Sequence, residues 1–355
     1  MVARAFNGNN QTIFHLGYNL AKLFPEDISV RVTGLVNYNN ITLKPLENFS
    51  VDYFGHGFGV GTKKSGSNNR ISIIQVPDPR LIYSFLMASS KKRIYAKYDL
   101  GEDWAFSDIN PLFKAGKYVL NKMLGRSCDL FFAHTNYATE KLTQDWIKPA
   151  FTVSHGFYPE MMGEAMKRSK QIIERLEITQ EIEDKKVILW LGDTKRRSCF
   201  RLLEESLPKI FRENEDAVLM VVGGDYVSSD DRIVTLPRIK YEDALSLYSI
   251  ANVVVLPKYD NPLQRWCIHI VKLVEALGAG VPVVTPNVCL ASELPDDILQ
   301  KIKPDSSDAI STAVNELFSS HNYAITLGKN AKKYAEKNLT WEARAKKMWE
   351  LLLEI

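Results

Sequence analysis

Apolar positions fall into two regimes along the chain. In the second half, unbroken apolar runs alternate with segments of helical period. Val187–Leu191, Ala217–Val222, Arg232–Leu236, Asn252–Leu256 and Val281–Thr285 predict strands, and Met162–Leu176, Cys199–Phe211, Tyr241–Ser249, Val271–Leu277 and Trp341–Leu353 predict helices. Strands that are apolar throughout are buried on both faces, so the alternation predicts an α/β chain with parallel sheets covered by helices on either side. The first half is less regular. Ile13, Leu16, Leu20 and Leu23 recur at helical spacing until Pro25, Ile28–Val36 is rich in β-formers, and a glycine-rich stretch from Gly55 to Asn69 predicts a loop. Short strands are expected at Ile71–Val76, Arg93–Ala96, Leu130–Ala133 and Phe151–Val153.

Length and composition narrow the classes. A chain of 355 residues is about twice one typical domain, and a charged loop at Glu181–Lys186 after the helix from Met162 places a domain boundary near 160–186. Its 45% hydrophobic and 25% charged residues are those of a globular protein rather than a disordered or fibrous one. The four cysteines, at 128, 199, 267 and 289, form no CxxC pair, so no thiolate zinc site or disulfide framework is expected. No apolar run approaches a membrane span and the first residues lack a leader's apolar stretch, which predicts a cytoplasmic protein.

Net charge is +3, but it is unevenly spread. Residues 1–160 hold 18 Lys and Arg against 13 Asp and Glu, whereas residues 161–355 hold 27 against 29. That surplus is too small for a nucleic-acid partner. It does suit peripheral contact with an anionic membrane at the inner face, through Lys114, Lys117, Lys122 and Arg126 interleaved with Val119, Leu120, Met123 and Leu124; a plain solvated helix is the competing reading.

Ligands of open parallel sheets sit beyond the carboxyl ends of the strands, which directs attention to the turns there. Gly192-Asp-Thr-Lys-Arg-Arg197 follows a strand and precedes a helix, so Lys195 or Arg197 could meet a phosphate; an exposed charge run would read the same way. Glu275, within Lys272-Leu-Val-Glu-Ala-Leu-Gly-Ala-Gly-Val-Pro-Val-Val284, is placed to accept two ribose hydroxyls, unless it is a structural carboxylate paired with Lys272 three residues earlier. His134, His155 and Asp99 are acceptor-side candidates, since a histidine near its ordinary pKa can act on a hydroxyl at neutral pH.

Glu275-Ala-Leu-Gly-Ala-Gly-Val-Pro-Val-Val284, Leu189-Trp-Leu-Gly192, Val221-Val-Gly-Gly224 and Tyr241–Ala251 together resemble the donor-binding half of retaining glycosyltransferases of the GT-B architecture, most closely family four, the glycosyl transferases group 1. The resemblance implies two Rossmann-like domains facing each other across a cleft. Residues 1–165 would be the acceptor-side domain, 166–335 the nucleotide-sugar domain, and 336–355 a C-terminal helix crossing back to the first. It implies a nucleotide-diphosphate sugar donor, a glycan, lipid-linked or protein acceptor, and neither cofactor nor metal. Donor contacts fall to Gly8, Gly192, Gly224, His269, Ile270, Val271, Val274 and Glu275, and catalytic charge or proton work to Lys195, Arg197, His134 and His269. Cys267 departs from the pattern, standing where the family has a first glutamate. That departure motivates one rival, a non-catalytic protein that binds a glycan or partner; an epimerase of the same fold is a second.

Overall fold

The computed structural model describes residues 12–26, 30–34, 45–53, 71–74, 92–96, 111–194, 199–224, 226–267 and 270–354. The chain divides into two compact units, residues 1–155 with 341–355, and residues 156–340.

In the first unit, helix α1 (Thr12–Leu23) buries His15, Leu16, Asn19 and Leu20 and ends just before Pro25, as its spacing predicts. It packs against the C-terminal helix Trp341–Glu354, with the rings of Phe24 and Trp349 stacked at 4.9 Å. Strands β1 (Val30–Gly34) and β2 (Phe49–Tyr53) pair in parallel. A second parallel sheet runs β3 (Ile71–Ile74), β4 (Lys92–Ala96), β5 (Leu130–Ala133) and β6 (Ala150–Thr152), in that order. Helix α2 (Pro111–Ser127) joins β4 to β5, and α3 (Asn136–Trp146) joins β5 to β6. Helix α3 is capped at its start by the Thr135 hydroxyl, which accepts from the Ala138 amide.

The second unit begins with α4 (Pro159–Lys167), α5 (Ser169–Arg175) and α6 (Thr179–Ile182). The expected single helix 162–176 is thus two, because Arg168 adopts φ −89°, ψ 2° and its amide bonds back to the Ala165 carbonyl, closing a tight turn. Six parallel strands follow, β7 (Lys186–Leu191), β8 (Ala217–Val222), β9 (Ile233–Leu236), β10 (Val253–Val255), β11 (Val283–Pro286) and β12 (Gln300–Ile302), with the short helices α8 (Tyr241–Ser246) before β10 and α9 (Pro262–Cys267) after it. Their spatial order, β12-β11-β10-β7-β8-β9, is the doubly wound Rossmann order.

Alternate residues of the strands feed two cores. Val187, Leu189, Met220 and Val254 face Leu273, Val274 and Leu277 of α10 (Ile270–Ala279) and Ala331 of α12 (His321–Asn338). Ile188, Trp190, Leu219 and Val253 face Leu203 and Ile210 of α7 (Phe200–Glu213) and Val314 of α11 (Ser307–Ser319). Helices on both faces explain why these strands are apolar throughout, as the pattern predicts. Helix α10 ends where Gly280 takes φ 79°, which lets its amide reach the Leu277 carbonyl and the Val281 amide reach that of Ala276, a Schellman stop.

Candidate active site

In this strand order the direction of winding reverses between β7 and β10, and the chain segments leaving those two strands border a crevice at the carboxyl edge. Gly192 leaves β7 at φ 123°, a conformation that side chains rarely adopt, while its amide still donates to the Val222 carbonyl at 2.7 Å. Gly223 leaves β8 at φ 102°, where a Cβ would lie 3.7 Å from the Gly192 backbone, and a Cβ on Gly224 would meet the Thr194 amide and hydroxyl at 3.6 Å. Two of the expected donor residues, Gly192 and Gly224, therefore belong to one bare-backbone ledge.

Helix α10 starts at the same edge. Ile270, Val274 and Glu275 are buried, and Val271 is half-buried. Glu275 lies more than a turn inside the helix, so helix-terminal amides do not hold its charge. Two phenols do: Tyr241 donates to Oε1 at 2.6 Å and Tyr248 to Oε2 at 3.3 Å. Burial outweighs both bonds and the nearby Lys272 charge, pushing Glu275 up to about 7. Burial first, and then the Glu275 charge and hydrogen bond, hold the Tyr248 phenol well above its usual range. Each carboxylate oxygen keeps a further acceptor direction.

Lys272 is the residue that sequence reasoning placed only as a rival partner of Glu275. Its amine instead reaches the Gly192 turn, where a Cβ on Gly192 would strike Nζ and lie 3.0 Å from Cε, and it sits 5.0 Å from the centroid of the Trp190 ring. Burial lowers its pKa to about 8, opposed by the negative charges of Asp193 and Glu275. Trp190 in turn donates from Nε1 to the Gly192 carbonyl at 3.2 Å. On the other side of the crevice, Lys258 follows β10 and is fully buried. Beyond it, Arg265 forks onto both oxygens of Asp260 at 2.5 and 2.8 Å. The only sequence signals for Lys272 and Lys258 are their places, three residues before Glu275 and just after an apolar strand.

Gly8, Asp99, Lys195, Arg196, Arg197 and His269 lie outside the described residues, as does the side chain of Cys267. Cys128 and Cys199 are buried thiols pushed up to about 12 and about 11 by burial, so neither is a reactive thiolate.

The first unit gathers the expected His134 and His155, which follow β5 and β6, with His15 of α1 around Trp341. The His15 ring stacks on Trp341 at 4.8 Å, and His155 meets it edge-on at 4.4 Å. His134 stands 6.5 Å from His155, whose carbonyl accepts from Arg344 Nε at 3.3 Å. Burial takes His15 and His134 down to about 3 and His155 well below its ordinary value, and Arg344 adds to the effect on the last two. All three are neutral imidazoles at neutral pH, so they offer hydrogen bonds rather than charge.

Among the described residues no group of three or more His, Cys, Asp or Glu is arranged to hold a metal, and no helix is long and apolar enough to cross a membrane.

Residues 185–320 match the family described as Glycosyl transferases group 1. The chain is 26% identical over 269 residues to YtcC of Bacillus subtilis (strain 168), which bears a glycosyltransferase name, the match covering 68% of this chain and 63% of that one. It is 22% identical over 215 residues to spore coat protein SA of the same strain, covering 54% of each. The chain thus spans less than two thirds of the length of either relative. Among solved structures, sucrose-phosphate synthase from Thermosynechococcus elongatus superposes with a TM-score of 0.70 at 16% identity, over 98% of this chain and 93% of that one. Anabaena Alr3699/HepE in complex with UDP and glucose superposes with a TM-score of 0.67 at 13% identity, over 100% and 98%. The fold is therefore the GT-B glycosyltransferase fold, and within it residues 185–320 are similar to the glycosyl transferases group 1.

Proposed function

We propose that the protein transfers a sugar from a nucleoside-diphosphate sugar to a hydroxyl of a glycan, a lipid-linked sugar or a protein, with retention at the anomeric carbon. The observation that carries this reading is the crevice of the second unit, where the bare ledge of Gly192 and Gly224, the Lys272 amine and the Glu275 carboxylate meet at one strand edge. Glu275, oriented by Tyr241 and Tyr248, accepts the two ribose hydroxyls. Lys272 faces the diphosphate across the Gly192 turn, and its charge offsets the negative charge that grows on the leaving group as the C1–O bond breaks. Lys195, Arg197 and His269 are further candidates for that task, and Ile270 and Val271 offer amides at the start of α10. Lysines and amides meet the diphosphate, so the reading needs neither metal nor cofactor. Uridine diphosphate sugars are the first donors to test, because UDP-glucose is bound in a structure of the same fold, Anabaena Alr3699/HepE.

On the acceptor side, His134 and His155 supply neutral hydrogen-bonding groups, with Asp99 a further candidate. The reading places the protein in the cytoplasm, with its basic half in peripheral contact with the inner membrane face and no nucleic-acid partner. Proton NMR of UDP-glucose and related donors, with and without a panel of acceptors, tests it. A new glycoside whose anomeric coupling matches the donor's is the expected result. Conversion of donor alone would instead mark an epimerase, and saturable binding with no turnover a non-catalytic protein.

A further inference from the structure

Helix α2 is built the wrong way round for a helix that faces only water. Its inner side buries Leu124 and Gly125, with Cys128 just beyond its end also buried. Its outer side should then be polar. Instead, Leu112, Ala115, Val119, Met123 and Arg126, three or four residues apart, form one exposed stripe flanked by Tyr118 and Lys122. Leu112 is 82% exposed, Val119 54%, Tyr118 50% and Met123 47%. Single exposed apolar side chains are ordinary, but four on one face of one helix make a patch. Among the described residues nothing lies within 4 Å of where a Cβ on Gly116, in the middle of the stripe, would stand. Tyr118, Val119, Lys122, Met123 and Arg126 line a shallow depression along it.

The charges on the helix itself are of one sign. Helix α2 contains no Asp or Glu and four bases, Lys114, Lys117, Lys122 and Arg126. Lys122 holds its amine beside the stripe, 5.5 Å from the Tyr118 ring and 4.8 Å from the Trp146 ring. A further cation, Lys148, caps the carboxyl end of the helix, donating to the carbonyls of Gly125 and Arg126 at 2.9 Å and of Cys128 at 2.5 Å. Asp129, the acid next to this end, already accepts from the Arg93 amide at 2.7 Å.

We propose that the outer stripe of α2 is a docking surface for an anionic phospholipid bilayer. An apolar strip bordered by Lys and Arg fits such an interface. The side chains of Leu112, Val119 and Met123 enter the acyl boundary, the Tyr118 phenol sits at headgroup depth, and Lys122 and Arg126 extend their stems to reach phosphate. A protein partner fits less well, because lysine is depleted from the buried centre of protein interfaces. The small residues Ala115 and Gly116 let the helix axis approach the headgroups closely. The proposal rests on the peripheral membrane contact of the proposed function and gives it a surface; that surface belongs to the first unit and the donor crevice to the second, and its test needs no turnover.

The test is flotation of the full chain with vesicles of phosphatidylcholine alone and of phosphatidylcholine with about one third phosphatidylglycerol. Binding to the anionic vesicles about tenfold or more above the neutral ones, weakened by added salt, is expected. Lys122→Glu with Arg126→Glu should remove that preference, and Val119→Glu with Met123→Glu should abolish binding altogether, while urea-unfolding midpoints and UDP-sugar binding stay at their unmodified values. Equal partition onto both vesicles, or none, overturns the proposal. So does concentration-dependent self-association that Val119→Glu abolishes in the absence of any vesicle binding, since the stripe would then be a protein interface.

Discussion

Lys272 rests its amine against the bare Cα of Gly192, so one residue's missing side chain is the space another's charge occupies. Gly192→Ala must therefore both displace the ammonium and hold a side chain at φ 123°. The strained backbone alone should cost on the order of 1–3 kcal/mol in urea unfolding. Lys272→Met, which keeps the stem and removes the charge, should lower kcat by about tenfold to a hundredfold with a smaller change in donor KM, because the charge it meets grows only in the transition state. A rise in KM at unchanged kcat would show that Lys272 holds the donor equally in ground and transition states, and unchanged kinetics would leave it a packing residue over Trp190.

The carboxylate of Glu275 makes a different prediction, one of pH. Hydroxyls of a bound ribose donate to the ionised form, and burial has moved its titration up to about 7. Donor affinity measured by calorimetry should therefore strengthen as pH rises from 6 to 8. Tyr241→Phe removes a hydrogen bond that holds this pKa down, so the midpoint of that rise should shift to higher pH. Glu275→Ala should lower kcat/KM by about tenfold or more, equivalent to roughly 1.5–3 kcal/mol for a lost pair of charged hydrogen bonds. Affinity that is flat across this range in the unmodified protein contradicts the ribose role.

Much of this arrangement is legible in sequence, and the exceptions share a cause. β7, β8, β10 and β11 read clearly because each is covered on both faces and so carries an apolar run, broken only by Lys186 at the start of β7 and the buried Thr285 of β11. β2 escapes notice because Phe49-Ser-Val-Asp-Tyr53 is a short alternation with no apolar run. Helix α12 escapes too, since its buried face is one leucine, Leu327, followed by the small Gly328, Ala331 and Ala335, which leave almost no hydrophobic stripe; Gly328 is small because it packs against the Gly280 carbonyl. Glu275 stands out as a charge within an apolar helix. The role of Lys272 does not, because local spacing offers it Glu275, three residues on, while the contact that positions it lies with a turn on another strand. Likewise the phenols of Tyr241 and Tyr248 converge on Glu275 only once two helices are packed together.

The imidazoles around Trp341 predict acid lability of the first unit. His15 and His134 titrate near 3 when folded and near 6.5 when unfolded, so between those values the unfolded chain binds more protons and stability rises with pH. Stability is fully present above about 6.5 and is lost as pH falls through the window, at a limiting slope of about 1.4 kcal/mol per pH unit for each histidine. Urea midpoints followed by tryptophan fluorescence should drop between pH 7.5 and pH 5. His15→Phe, which keeps a ring stacked on Trp341 and removes the titration, should flatten that dependence. Midpoints that do not move with pH would mean the rings are protonated in place.

Gly278 stands against the ring of Phe157, and a Cβ there would overlap Cε2 and Cζ. Phe157 is 3% exposed and belongs to the core on that side of the sheet, while its amide bonds to the Leu339 carbonyl at 3.1 Å, so the ring has nowhere to withdraw. Gly278→Ala should therefore destabilise by about 1–3 kcal/mol although alanine is the better helix former, since overpacking outweighs the roughly 1 kcal/mol gained in helix propensity. Phe157→Leu alone should cost a comparable amount through the space it vacates. Combined, the two changes relieve each other, because the new methyl enters the volume the ring has left. The double variant should therefore lose less than the sum of the single losses, by about 0.5–3 kcal/mol of coupling in a urea-denaturation cycle. Strict additivity would show that the ring and the helix backbone are not in contact in solution.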